Sequence, residues 1–139
     1  MGNVAQLITA VRKPQHVMTF TNGSLAQTAN GTLLNGGVAG LTRRVMPYAG
    51  SVYAIAGSYS ANLTAGTVQL QPSINGTVQD FYVRNTAAGA KGVYGSQNAR
   101  ETNFNAGDTL EIVYNAAGLN AAGIAIEADV YVFYEDVNL

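Results

Sequence analysis

The alternation of apolar and polar residues is strongest in the last third of the chain. One face of this run is almost wholly apolar and consists of Ile124, Ile126, Ala128, Val130, Val132 and Tyr134. The opposite face carries Ala125, Glu127, Asp129, Tyr131, Phe133 and Glu135. Because successive side chains point to opposite faces of a strand, this pattern predicts a half-buried β-strand with one dry face and one wetter face.

Shorter alternating runs precede it, separated by turn signals. The runs 50–59 and 67–74 predict a long hairpin, and Asn75-Gly76 predicts a two-residue turn directly after it. Along the first of these runs, Tyr53, Ile55 and Tyr59 fall on one face. Helical periodicity is absent, and about eight short strands with regularly spaced turns predict an all-β chain, an antiparallel β-sandwich or jelly roll.

The N-terminal part has a different composition. Its first residues alternate in polarity up to Pro14, and residues 22–42 are rich in Gly, Asn, Thr and Ala. Long connectors without secondary structure are uncommon inside compact domains. The sequence therefore predicts an extended N-terminal arm with its connector over residues 1–42 and the jelly-roll domain over residues 43–139. The arm residues predicted to bind a partner are Val4, Leu7, Ile8, Val11, Arg12 and Lys13.

Charge is scarce and unevenly distributed. Asp, Glu, Lys and Arg make up 11% of the chain, against about 25% in an ordinary globular domain. Residues 1–70 carry a net charge of +4, and residues 71–139 carry −5. The low charge predicts that much of the surface faces other protein, and the overall −1 argues against nucleic acid as a partner. With no cysteine and no apolar run of membrane-spanning length, neither disulfides nor a membrane partner is predicted.

Few residues suggest chemistry. Glu127 and Asp129 lie about 7 Å apart on one strand face. This spacing resembles a paired-carboxylate site, but a solvated or inter-subunit charged face is the default interpretation. His16 is the only histidine, so a transition-metal site is not predicted. Asp108 either closes a turn by accepting amide hydrogen bonds or binds a cation. No catalytic motif is present, so the chain is predicted not to be an enzyme and not to need a cofactor.

The remaining candidates concern contact with other chains. Arg43 and Arg44 form either a plain surface pair or a grip on carboxylates of a neighbour. Tyr131 and Phe133 share a face with Glu127, which indicates an oligomer interface unless both faces of the sandwich are buried. The residues predicted to lie at a subunit or shell interface are Arg43, Arg44, Tyr53, Tyr59, Glu127, Asp129, Tyr131 and Phe133.

Three segments carry a resemblance to known domains. They are the strand-like 50–56, the strand and turn 67–76, and Phe104-Asn105-Ala106-Gly107-Asp108-Thr109-Leu110. The last matches a phe-x-ala-gly-asp-x-leu turn that recurs in such domains. Residues 43–136, about two thirds of the chain, resemble the jelly-roll domains of the tumour-necrosis-factor and complement-globular-head type.

Within that group, a short cysteine-free chain with an N-terminal arm is similar to tailed-phage capsid decoration (cement) proteins. The resemblance implies a homotrimer, made in the host cytoplasm, that binds the major capsid protein on the outer capsid surface and stabilises the shell. The N-terminus of this chain lacks the pattern of a signal peptide. This favours a similarity to the phage proteins over one to the secreted animal members of the group. A receptor-binding tail-fibre or tip domain and a polysaccharide-acting enzyme are the alternatives.

Overall fold

The computed structural model describes residues 15–85 and 89–135. These residues form twelve strands and no helix. The strands are β1 (Gln15–Leu25), β2 (Ala29–Thr32), β3 (Leu34–Asn35), β4 (Arg44–Val45), β5 (Gly50–Leu63), β6 (Thr67–Ile74), β7 (Thr77–Val78), β8 (Val83–Arg84), β9 (Ala90–Ser96), β10 (Asn103–Phe104), β11 (Thr109–Ala117) and β12 (Ile124–Tyr134). Accordingly, these two ranges hold no helix of the length and apolarity that crossing a membrane requires.

The strands form two antiparallel sheets. The first sheet has the order β10-β5-β12-β1-β3, and β9 also pairs with β5. The second sheet has the order β2-β11-β6-β7, with β4 paired to β11 and β8 paired to β6. This architecture confirms the predicted all-β sandwich of jelly-roll type.

The core lies between the two sheets. The inner faces contribute Met18, Phe20, Val52, Ile55, Leu70, Leu110, Ile112, Ile126, Val130 and Val132, all buried. The apolar face predicted for the last strand is therefore the buried face of β12, and its other face is half-buried or exposed. The alternation of apolar and polar residues predicted this face correctly because one side of β12 packs on the second sheet while the other meets solvent.

The N-terminal boundary differs from the prediction. β1 lies between β12 and β3 in the first sheet, and it buries Met18 and Phe20 in the core. β2 pairs with β11 in the second sheet. Residues 15–42 are thus part of the sandwich rather than an arm and connector, because their polar turns interrupt strands that still bury one face. The six arm residues predicted to bind a partner lie outside the described residues.

The predicted pairing of residues 50–59 with 67–74 is wrong. β5 pairs with β12 and β9 in the first sheet, whereas β6 pairs with β11 in the second. The connection 64–66 therefore crosses from one sheet to the other and does not close a hairpin. The turn at Asn75-Gly76 is confirmed, since both residues have positive φ (51° and 83°) and join β6 to β7, as a two-residue hairpin turn requires.

A β-bulge in β5 changes which residues share a face. Tyr131 pairs with Ala54 and Val132 with Val52, so Tyr53 is the extra residue. After such a bulge the alternation is reset by one position. Tyr53 consequently points outward while Ile55 points into the core, although strict alternation had placed the two side chains together.

Candidate functional site

The outer face of the first sheet carries a group of apolar side chains. We call this the aromatic face, and it consists of Val17 on β1, Tyr53 on β5, and Tyr131 and Phe133 on β12. Val17 lies directly opposite Tyr131 and is 47% exposed. The Tyr53 and Tyr131 rings are 6.2 Å apart at an angle of 54°. This is a contact distance typical of aromatic pairs, so the two rings support each other in fixed positions.

Two carboxylates continue the same face along β12. Asp129 lies opposite Thr19 of β1, whose Oγ1 donates a hydrogen bond to Asp129 Oδ1 at 2.8 Å. Glu127 lies opposite Ser58 of β5 and is exposed. Across residues 15–85 and 89–135, no three His, Cys, Asp or Glu side chains cluster closely enough to hold a metal ion. The pair therefore contributes negative charge to the face.

Tyr94 forms a second feature, at the edge of the same sheet. Among the residues that the structure describes, β9 pairs only with β5, and Tyr94 on β9 is 84% exposed. A hollow of about 850 Å³ lies beside it, and its lining includes Ala56, Ser58, Lys91 and Gly92. Sequence reasoning missed Tyr94, although a large aromatic next to Val93, which is buried, indicates an outward position by strand alternation.

Tyr59 does not belong to the aromatic face. It lies opposite Ile126, on the inner side of β5, and packs partly against the core. Its hydroxyl donates a hydrogen bond to Asn85 Oδ1 at 3.0 Å. Burial raises the pKa of the Tyr59 hydroxyl far above its ordinary value. The expectation that Tyr59 shares a face with Tyr53 is therefore wrong, because the bulge at Tyr53 separates their directions. An interface role for Tyr59 stays a prediction.

The two neighbouring arginines have different surroundings. Arg43 is exposed, whereas Arg44 is half-buried and places Nη2 at 3.3 Å from Nε2 of His16. His16 in turn stacks on the Tyr134 ring at 6.1 Å. Burial raises the pKa of Tyr134, and the positive charge of Arg44 opposes part of that rise. Arg44 thus links β4 of the second sheet to β1 of the first, which leaves Arg43 as the arginine available to a partner.

Asp108 closes a turn, as one of its two predicted roles required. Its Oδ2 accepts a hydrogen bond from the backbone N–H of Asn105 at 2.7 Å, and its Oδ1 accepts one from Asn75 Nδ2 at 3.0 Å. The Asn105 amide, followed by the Asn75 side chain, lowers the pKa of the Asp108 carboxyl. The carboxylate therefore ties the β10–β11 turn to the β6–β7 turn.

This arrangement predicts an acid-dependent loss of stability. A carboxyl whose pKa is lower in the folded chain stabilises the fold above its unfolded pKa, and the effect disappears as the pH falls through the folded pKa. We expect Asp108→Asn to lower the melting temperature at neutral pH by a few degrees. The melting temperature of this variant should also decline less than that of the unsubstituted chain as the pH falls below the usual Asp pKa of about 3.9. Thermal unfolding followed by circular dichroism measures both, with the exposed Asp80→Asn as control. An Asp108→Asn profile that parallels the unsubstituted chain would show that the turn does not need the carboxylate.

Comparison with known proteins finds structures with a similar fold but no family to which the chain can be assigned. No protein-family model matches the chain, and no curated protein matches it in sequence. Solved structures with similar folds include the globular domain of zebrafish complement 1qA protein, with 14% identity, a TM-score of 0.49, and 91% of this chain and 100% of that chain covered.

Two further similar structures come from other kinds of protein. The CBM36-1 domain of a multidomain xylanase from the hindgut metagenome of Trinervitermes trinervoides has 7% identity and a TM-score of 0.48, covering 90% of this chain and 100% of that one. A chain of the cyanophage Pam1 capsid asymmetric unit has 11% identity and a TM-score of 0.45, covering 88% and 86%. At these levels the three likenesses concern the two-sheet β fold alone.

Proposed function

We propose that this chain is a structural virion protein of a tailed phage, which binds the outer capsid surface as a homotrimer and stabilises the shell. The observation that supports the proposal is the aromatic face, where the exposed Val17 adjoins the half-buried Tyr53, Tyr131 and Phe133 on a chain with only 11% charged residues. Aromatic and apolar side chains grouped on an outer face are typical of contact with other protein. The sequence resemblance to decoration proteins supplies the partner, the major capsid protein.

A ring of subunits fits the placement of the two features on the first sheet. The aromatic face occupies its outer surface, with Glu127 and Asp129 beside it, whereas Tyr94 and Lys91 lie on the β9 edge. Contact between an edge and a face is heterologous and closes into a ring when the rotation allows. In such a contact Lys91 can approach Glu127 of the next subunit, which makes the charges of the two surfaces complementary.

A two-fold contact between identical faces is less favourable. An axis that passes near Glu127 and Asp129 places them against the same residues of the partner, and like charges facing each other across an interface are destabilising. Edge-to-face packing avoids this repulsion. The charge distribution therefore favours a heterologous ring, and the resemblance supplies its proposed number of subunits, three.

Shell stabilisation requires no chemistry. A ligand that binds the assembled shell and not its separated subunits shifts the equilibrium towards the shell by mass action. Three linked binding sites add avidity without any new contact. In this proposal, Arg43 meets carboxylates of the shell, and the N-terminal segment with Val4, Leu7, Ile8 and Val11 adds a strand to, or lies in a groove of, the major capsid protein.

Co-sedimentation tests the proposal directly. Purified protein is mixed with genome-filled capsids of its own phage that lack this protein, and the pellet is analysed for bound chain. Saturable binding supports a decoration role. Binding to host cells in place of capsids would support the receptor-binding tail-fibre alternative.

A further inference from the structure

The outer face of the second sheet carries a row of carboxamides. Asn30 on β2 lies opposite Asn115 on β11, which lies opposite Gln69 on β6, which lies opposite Arg84 on β8. We call these four residues, together with Gln71 two positions along β6, the carboxamide row. Four adjacent strands span about 14 Å at the usual strand spacing. The row is thus a continuous polar strip across the sheet, away from the aromatic face.

Hydrogen bonds hold the side chains of this row in place. Arg84 Nε donates to Gln69 Oε1 at 2.8 Å, and Gln69 Nε2 donates to Gln71 Oε1 at 3.0 Å. Gln71 Nε2 donates to the backbone carbonyl of Gln79 at 2.9 Å. Each Nε2 carries two N–H groups, so Gln69 and Gln71 each retain one for a ligand. Because these long side chains are already ordered, binding costs less conformational entropy than it would on a freely solvated face.

The charges near this row are few and of mixed sign. Arg84 is bound to Gln69 and lies 5.3 Å from the centre of the Tyr82 ring. Glu111 Oε2 accepts a hydrogen bond from Thr42 Oγ1 at 2.7 Å, and the exposed Asp80 follows Gln79 in the chain. These three charges do not form the cluster of like charges that attracts a polyanion or a polycation.

Apolar surface lies beside the polar groups. Val113 is half-buried directly opposite Gln71, and Tyr82 is 52% exposed next to Arg84. The face therefore combines neutral donors and acceptors with small apolar patches. It lacks the large apolar centre of a typical protein interface.

We propose that the carboxamide row binds a neutral glycan. Sugar hydroxyls both donate and accept hydrogen bonds, and carboxamides can do the same without carrying a charge. The C–H faces of a sugar ring would lie against Val113 and Tyr82. This function is additional to shell stabilisation, and it would let a virion bearing the protein adhere to a surface polysaccharide.

Affinity gel electrophoresis tests the inference with defined probes. The protein is run through gels containing hydroxyethyl cellulose, galactomannan or dextran, and through alginate as an acidic comparison. At least one neutral polymer should retard the unsubstituted chain, and alginate should retard it less. Gln69→Ala and Gln71→Ala should each raise Kd at least about tenfold, the equivalent of one lost hydrogen bond of ordinary strength. Asn98→Ala, an exposed carboxamide elsewhere, is the matched control and should bind normally.

Three results would overturn the inference. They are no retardation by any neutral polymer, retardation by alginate as strong as by the neutral polymers, and unchanged binding by both glutamine variants. Melting temperature and native mass are measured on every variant, so that a folding defect is recognised as such. Loss of glycan binding with normal capsid binding separates this inference from the proposed virion role.

Discussion

Removal of residues 1–21 is expected to unfold the protein. The cut takes away most of β1, which lies inside the first sheet between β12 and β3. It deletes Met18 and Phe20, which are 1% and 0% exposed. Losing a buried Phe or Met side chain alone costs about 2–5 kcal/mol, and the lost ladder with β12 adds to it. Domain stabilities are only about 5–15 kcal/mol, so the remaining sheet should not stay folded.

Removal of residues 1–14 is the matched control. A chain that begins at Gln15 retains every strand described above. We expect it to keep a β-sheet circular dichroism spectrum and a cooperative thermal transition. A cooperative transition in the chain lacking residues 1–21 would contradict the placement of β1 within the sandwich.

Tyr131→Asp is expected to abolish self-association while the fold survives. Tyr131 points away from the core and contacts Tyr53 on the aromatic face. A carboxylate buried without a partner at the centre of an interface is strongly unfavourable, and central aromatic residues typically contribute about 2 kcal/mol or more to binding. That loss corresponds to a decrease in affinity of about thirtyfold at each subunit contact.

Native mass spectrometry measures this effect. The unsubstituted chain should give a species of three times 14.5 kDa, and Tyr131→Asp should give the monomer. Tyr82→Asp is the control, because Tyr82 is an exposed tyrosine near the second sheet and should leave the trimer intact. Two results would show that the aromatic face is not a subunit interface. They are a trimer that persists in Tyr131→Asp and an unsubstituted chain that is monomeric at micromolar concentration.

Local sequence patterns predicted the parts of the fold that depend on local chemistry. β6 was predicted with its observed ends, because its apolar positions alternate and a two-residue Asn-Gly turn follows it. The buried face of β12 was predicted for the same reason. The role of Asp108 in a turn also followed from neighbouring residues, since Asp108 accepts a hydrogen bond from the backbone N–H of Asn105, three positions away.

Features that depend on distant partners were not predictable in this way. Alternation shows that β5 and β6 each bury one face, but it carries no information on which sheet each joins. The bulge at Tyr53 arises from pairing with β12, and it reversed the assignment of Tyr59. β1 to β3 were assigned to an arm and connector because their Gly- and Asn-rich turns resemble a linker, although Phe20 in β1 and Leu33 between β2 and β3 are buried.

The candidate surfaces were likewise predicted only in part. Tyr53, Tyr131 and Phe133 share one face of the first sheet, as alternation and the predicted interface suggested for the pair on β12. Tyr94 and the carboxamide row were missed. The outward position of Tyr94 could have been predicted from alternation beside Val93, whereas the carboxamide row becomes apparent only when strands distant in sequence are placed side by side.

Binding to capsids is the most direct test of the central claim that this chain is a shell-stabilising virion protein. Genome-filled capsids lacking the protein are titrated with purified chain, and bound protein is quantified after sedimentation. We expect saturable binding, a plateau in multiples of three chains per site, and a higher temperature of genome release from the decorated capsids. The chain lacking residues 1–14 should bind much more weakly. No binding at micromolar concentration, or binding without any change in capsid stability, would show that this chain is not a shell-stabilising virion protein.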